Sequence, residues 1–196
     1  MRWGRHPVDD ATLARAAAHG EQNAFATLFE RYRHLVYSIA WKITLNVEDS
    51  LDVTQNVFAR LAEKIGRYQG RGSFRSWLAA IAANEAVNIL RRPERRCEMP
   101  TEPDIIASII DEKHEGNNPS KTIETQEQRE LVEKAMAGLS PQQRAIFTLR
   151  WREEMTPAEI AERLGIPAGQ VRSQICHAIA KIRIALPPET LEGKNE

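Results

Sequence analysis

Leu139-Ser140-Pro141-Gln142-Gln143-Arg144, running on through Thr156-Pro157-Ala158-Glu159 and Gly165 to Lys181-Ile182-Arg183, is the stretch that decides the fold. It spells two short helices, a glycine turn and a longer helix. Ser140 stands at an N-cap, with Pro141 at the first helical position and Gln143 as capping-box partner. The same punctuation recurs at Thr156, Pro157 and Glu159, Gly165 ends that helix, and Pro167 marks the restart at Ala168. Two helices joined by a tight glycine turn, the second displaying polar side chains, is how a chain puts a helix into the major groove of DNA.

At about 100° per residue, Val171, Ile175, Ala178, Ile179 and Ile182 gather on one side of the last helix. Arg172, Ser173, His177 and Arg183 lie opposite, flanked by Gln174 and Lys181. No acid occurs from Ile166 to Leu186, against three bases (Arg172, Lys181 and Arg183). An ordinary amphipathic surface helix also has two faces. The missing acids, the turn and the repeated cap argue for DNA.

The chain has 196 residues, enough for one medium domain or two small ones, with 27 Lys+Arg against 27 Asp+Glu. Whole-chain charge is therefore silent about nucleic acid, but its distribution is not. Arg60 to Arg96 holds nine basic residues against three acids, Glu63, Glu85 and Glu94. Cys97 to Lys134 reverses this, with ten acids against four bases. Cys97 and Cys176 make no metal-type pair and read as reduced intracellular thiols. No apolar run approaches the ~20 residues that span a bilayer, and the start lacks a signal-peptide core. A soluble, cytoplasmic protein without membrane insertion is expected.

Helical periodicity is nearly everywhere, and an all-α chain follows. One helix is expected from about Asp10 to His19. A second starts near Asn23 and carries Phe25, Leu28, Phe29, Tyr32, Val36, Ile39, Ala40 and Ile43 at three- and four-residue steps. A third follows Asn46 with Leu51, Thr54, Phe58, Leu61 and Ile65 as its apolar stripe, and with Glu48, Asp49, Asp52, Gln55, Asn56 and Ala59 opposite. After the loop Arg67-Tyr68-Gln69-Gly70-Arg71-Gly72, Ser73 caps a fourth helix that stops before Pro93. These helices form a bundle over 10–95 with its own core. A Pro- and acid-rich linker over 96–123, interrupted by the apolar Ile105–Ile110 segment, leads to a helix-turn-helix domain over 124–187. Arginines, aromatics and glycine backbone in the loop suit single-stranded nucleic acid. For the rings of Phe74 and Trp77, a place in the core is the stronger reading.

Four segments together resemble the extracytoplasmic-function (group 4) sigma factors of the sigma-70 family. They are Ala24–Tyr32, Glu48–Phe58, Gly72–Leu78 with Ile81–Asn84, and the Leu139–Leu186 block, in the family's order. The resemblance implies a non-enzymatic protein without cofactor or metal. Its implied partners are core RNA polymerase, through the β′ and β subunits, and promoter DNA, as an upstream duplex and a melted non-template strand. It leaves room for control by a separate anti-sigma protein. By position, Asp52, Gln55 and Asn56 match the part that docks on the β′ coiled coil, with Asn56 where an acid is usual. Arg67, Tyr68, Gln69, Gly70, Arg71, Ser73, Phe74 and Asn84 match the part that receives the minus-ten strand. Ala83 stands there for a commonly basic residue and Asn88 for a commonly acidic one. Arg172, Ser173, Gln174, His177 and Lys181 match the minus-thirty-five reader, with Gln174 and His177 where arginines are frequent. The acidic linker fits a polymerase channel built for RNA.

Two other readings compete. A stand-alone helix-turn-helix regulator would bind duplex DNA without polymerase. A resolvase- or nuclease-like enzyme needs a nucleophile or a carboxylate cluster in a pocket. Asp9-Asp10 and Glu48-Asp49 sit at helix starts, where acids favour the helix dipole, and make no catalytic set.

Overall fold

A computed structural model describes residues 8–68, 70, 72–92 and 134–185. Seven α-helices lie wholly within them: α1 Asp10–Ala18, α2 Gln22–Thr44, α3 Val47–Lys64, α4 Phe74–Leu90, α5 Pro141–Trp151, α6 Pro157–Leu164 and α7 Ala168–Ala185. A 3-10 turn, Ile65–Arg67, follows α3, and no strand occurs among the described residues. The fold is all-α. Cys97, the Ile105–Ile110 segment and the helix expected from near Glu124 up to residue 133 lie outside the described residues.

The helix starts are written into the sequence. Asp9 accepts from Thr12 N, Asn46 from Asp49 N and Ser73 from Ser76 N, so each satisfies a backbone donor that the first turn leaves unpaired. Ser140 and Thr156 both form full capping boxes, with Gln143 and Glu159 reaching back to the cap backbone. Gly165 adopts the left-handed conformation (φ 65°) that ends α6.

Helix α3 sits differently from the expected stripe. Its buried face is Asp49, Ser50, Val53, Val57, Phe58 and Leu61, while Leu51 is 49% exposed. The cause is a hydroxyl pair: Thr44 Oγ1 and Ser50 Oγ lie 2.9 Å apart, and Ser50 also donates to Asn46 O. These bonds let a polar residue be buried at small cost.

Helix α2 packs against α1, α3, α4 and α5. Helix α4 is apolar on most of its circumference, with Phe74, Leu78, Ala79, Ala80, Ala82, Ala83, Ala86, Val87 and Ile89 all buried. A helix of that kind must be covered on several sides. Here α2 and α3 cover it from within the bundle, and α5 and α6 from the C-terminal part. One apolar core therefore runs through both parts, from Leu28, Ile39 and Val57 to Ile146, Leu149, Met155 and Ile160. A second, small cluster of Met136, Leu139 and Ala178 holds the far end of α7. Glu85, buried in α4, faces Arg60 of α3 as an ion pair.

Candidate nucleic-acid interface

Three surfaces carry the residues singled out by sequence. The first is the outer face of α3, where Asp52 and Gln55 are exposed and Asn56 is half-buried. Leu51, one turn before Gln55, stands beside them. Sequence reasoning assigned Leu51 to the core, and only the buried Ser50 reveals its true side. The face therefore combines acid, amide and one apolar side chain.

The second surface is the loop between α3 and α4. Arg67, Gly70, Ser73 and Asn84 are exposed and Tyr68 is half-buried; Gln69 and Arg71 lie outside the described residues. Gly70 and Gly72 hold φ of 70° and 73°, a region that disfavours side chains with a Cβ. Tyr68 closes the loop by donating its hydroxyl to Gly72 O at 3.0 Å. Its ring meets Phe74 and Trp77 with centroids 5.3 Å away in each case. Burial pushes the Tyr68 hydroxyl pKa up, which keeps it a donor. Phe74 lies in the part matched to the minus-ten strand, but its ring is core at 1% exposure, in line with the stronger reading of that ring, and it fills the space under Tyr32, Tyr68 and Trp77.

A cleft of about 300 Å³ opens beside this loop, lined by Arg67, Tyr68, Trp77 and Asn84 from the bundle and by Glu162 and Arg163 from α6. Two guanidinium groups, two rings and an amide converge there. Such a set suits a base stacked on an aromatic ring with phosphate beside arginine. Among the described residues no group of His, Cys, Asp and Glu could hold a metal ion.

The third surface is α7. Val171 and Ala178 are buried against the rest of the domain, and Ile175 and Ile182 are partly so. Arg172, Ser173 and His177 are exposed, and Gln174 is half-buried at the edge of that face. Cys176 is also exposed, as a free thiol on the Arg172 and Arg183 side of the helical wheel; the 100° count would have found it. Lys181 folds back, with Nζ 3.3 Å from Gly138 O and 3.4 Å from Gln143 Oε1. No helix among the described residues is long and apolar enough to cross a membrane.

Comparison with known proteins accounts for this layout. Residues 28–96 match the family model of sigma-70 region 2, and residues 129–182 match that of sigma-70 region 4. The chain is 30% identical over 186 residues to the RNA polymerase sigma-H factor of Pseudomonas aeruginosa, covering 91% of this chain and 94% of that protein. It is likewise 30% identical over 177 residues to the ECF RNA polymerase sigma-E factor of Escherichia coli, covering 87% and 91%. Among solved structures, CnrH in complex with the cytosolic domain of CnrY shares the fold at a TM-score of 0.60 and 22% identity, over 89% of this chain and 95% of that one. The sigma factor RpoE in complex with the anti-sigma factor NepR from Bartonella quintana does so at 0.61 and 16%, over 82% and 95%.

Proposed function

The chain belongs to the extracytoplasmic-function sigma factors of the sigma-70 family, and from that premise we propose how its surfaces divide the work of starting transcription. It is an RNA polymerase sigma factor, binding core polymerase and directing it to promoters. The chemistry of RNA synthesis stays with the polymerase; this chain contributes binding and positioning.

The outer face of α3 docks on the polymerase through Asp52, Gln55 and Asn56, with Leu51 as the apolar contact. The Arg67–Ser73 loop and Asn84 receive the unpaired minus-ten strand, with Tyr68 as the stacking platform and Phe74 as its support. Helix α7 reads the minus-thirty-five duplex with Arg172, Ser173, Gln174 and His177. The observation that carries this division is the exposure of three chemically distinct surfaces on one all-helical scaffold. Acid and amide face a protein, a glycine loop with rings faces single strands, and an acid-free helix faces duplex DNA.

Co-purification with core polymerase followed by run-off transcription tests the reading. Promoter-dependent transcripts that require both components are expected. A chain that binds duplex promoter DNA equally well without polymerase would favour the stand-alone regulator.

The RpoE of Bartonella quintana, which shares this fold, is found in complex with the anti-sigma factor NepR. An anti-sigma protein that covers one of these surfaces is the regulator this reading calls for.

A further inference from the structure

We propose that Asp10 is a positioning residue for promoter melting: from the first turn of α1 it holds the Tyr32 hydroxyl, and through that ring it sets the aromatic cluster on which the minus-ten loop rests. The inference rests on the assignment of the α3–α4 loop and Asn84 to the melted strand. It goes beyond that assignment in giving a role to α1, a helix that carries none of the residues so far assigned to a partner.

The loop needs a brace from outside its own sequence. Gly70 and Gly72, both at positive φ, leave its backbone many conformations in isolation. A strand that had to order such a loop on arrival would bind more weakly than one meeting it already set. Tyr68 fixes the loop at two points, by its hydroxyl on Gly72 O and by its ring against Phe74 and Trp77. The placement of Tyr68 is therefore only as definite as that of the rings beneath it.

Tyr32 anchors those rings from α2. Its centroid lies 5.4 Å from that of Phe74, and the residue is buried. A hydroxyl so deep must find a partner. It donates to Asp10 Oδ2; burial and then this bond push the Tyr32 pKa up, which keeps the phenol a donor. The contact chain runs Asp10, Tyr32, Phe74, Tyr68, Gly72, across three helices and into the loop.

Asp10 divides its two oxygens between two tasks. Oδ1 takes Nη1 of Arg31, which also donates to Val8 O at 3.2 Å, and that half fastens α1 to α2. Oδ2, through Tyr32, reaches the residue that follows the loop. The far end of α1 meets the segment that precedes it. There α1 packs on the 3-10 turn Ile65–Arg67, and a Cβ added at Gly66 would lie 3.9 Å from Ala18 Cβ. One helix thus braces both roots of the loop. Without Asp10 the buried hydroxyl has no acceptor, and the ring must shift to find one.

The test uses holoenzyme reconstituted from core polymerase and the full chain. Fluorescence anisotropy gives its affinity for a single-stranded oligonucleotide carrying the non-template minus-ten strand of a promoter that the parent holoenzyme melts. A separate titration gives the affinity of each chain for core polymerase. Asp10→Ala and Tyr32→Phe should each lower the strand affinity about fivefold, the scale of one lost hydrogen bond, with core affinity unchanged. Both act through the same bond, so the double variant should be no worse than either single one. Asp10→Asn keeps an acceptor for the hydroxyl and should restore most of the parent affinity. Arg31→Met leaves Asp10 and Tyr32 in contact and should keep that affinity. Parent-like strand affinity in Asp10→Ala overturns the proposal. So does a fall that core affinity shares, since it marks a general loosening of the bundle. Additive losses in the double variant, no restoration by Asp10→Asn, or an equal fall in Arg31→Met overturn the route through Tyr32. If circular dichroism shows that Asp10→Ala does not fold, Tyr32→Phe takes its place under the same outcomes. Parent holoenzyme that melts no promoter by permanganate footprint overturns the functional reading instead, and that result is read before any variant is made.

Discussion

Arg144 of α5 donates through Nε to the carbonyl oxygen of Ile43 at the end of α2, at 2.6 Å and across 101 positions of sequence. Its Nη1 also reaches Leu139 O at 3.0 Å. Ile43 belongs to the last turn of α2, where carbonyls lack helical partners, and the chain turns there through Leu45 in the left-handed region (φ 55°). The C-terminal domain thus caps a helix of the N-terminal bundle. Burial holds the Arg144 guanidinium below its ordinary pKa.

Replacing Arg144 with methionine keeps much of the volume and removes both bonds. Two buried carbonyls then lack their donor, and the cost expected is about 1–3 kcal/mol. A lower urea midpoint at unchanged slope is the signature; an unchanged midpoint would show that water replaces the guanidinium without loss.

The polymerase-docking face is separable from folding. Alanine at Asp52 and Gln55 should change stability by no more than about 0.5 kcal/mol, since both side chains are exposed. Core-polymerase affinity should fall clearly, and Leu51→Asp should lower it about tenfold, or about 1.4 kcal/mol. Equal binding by the parent and all three variants would remove this face from the interface.

Two caps give a pH dependence with a definite sign. Glu159 accepts from the Thr156 backbone N–H and hydroxyl, both at 2.8 Å, which holds its carboxyl below the usual range. Asp9 is lowered in the same way, first by the Thr12 hydroxyl and then by its N–H. A carboxyl whose folded pKa lies below its unfolded value stabilises fully above the unfolded value. That contribution is lost as pH falls through the folded one. Stability should therefore decline from about pH 5 towards 3, and less steeply in Glu159→Gln. Urea titrations at several pH values decide it, with Thr156→Ala expected to cost about 0.5–2 kcal/mol at neutral pH.

On α7, Gln174→Arg should shift the preferred upstream element at one or two positions, by about 1–3 kcal/mol per bidentate contact. Lys181→Ala should leave the salt dependence unchanged, because that ammonium is already engaged by Gly138 and Gln143. A promoter-library selection on the first variant and a salt titration on the second read the outcomes. An unchanged consensus with Gln174→Arg would take base reading away from that position.

Exchanging the Arg67–Gly72 loop for that of another family member should change which minus-ten base is preferred. Uniform loss on every promoter would mean that the loop is structural. Permanganate footprints separate failed melting from failed binding.

The sequence by itself determined the helices and the turn of the DNA-reading motif. Ser140, Thr156, Asn46, Ser73 and Gly165 each act within one helical turn, so their meaning needs no distant partner. The face of α7 was legible for the same reason, since 100° per residue fixes which side chains are neighbours. Tertiary structure decided what depends on distant positions. Leu51 faces water because Thr44 and Ser50 bond to each other and bury the adjacent turn. The core place read for the Phe74 ring is completed by Tyr32 from another helix, a partner that no local pattern names. The seating of the C-terminal domain on α4 rests on pairs such as Arg75 with Glu153 and Arg144 with Ile43, which no local pattern records. The alanines of α4 were a visible hint that something must cover it. What covers it was settled only when two surfaces far apart in the chain met, and complementarity of charge and shape selected one arrangement.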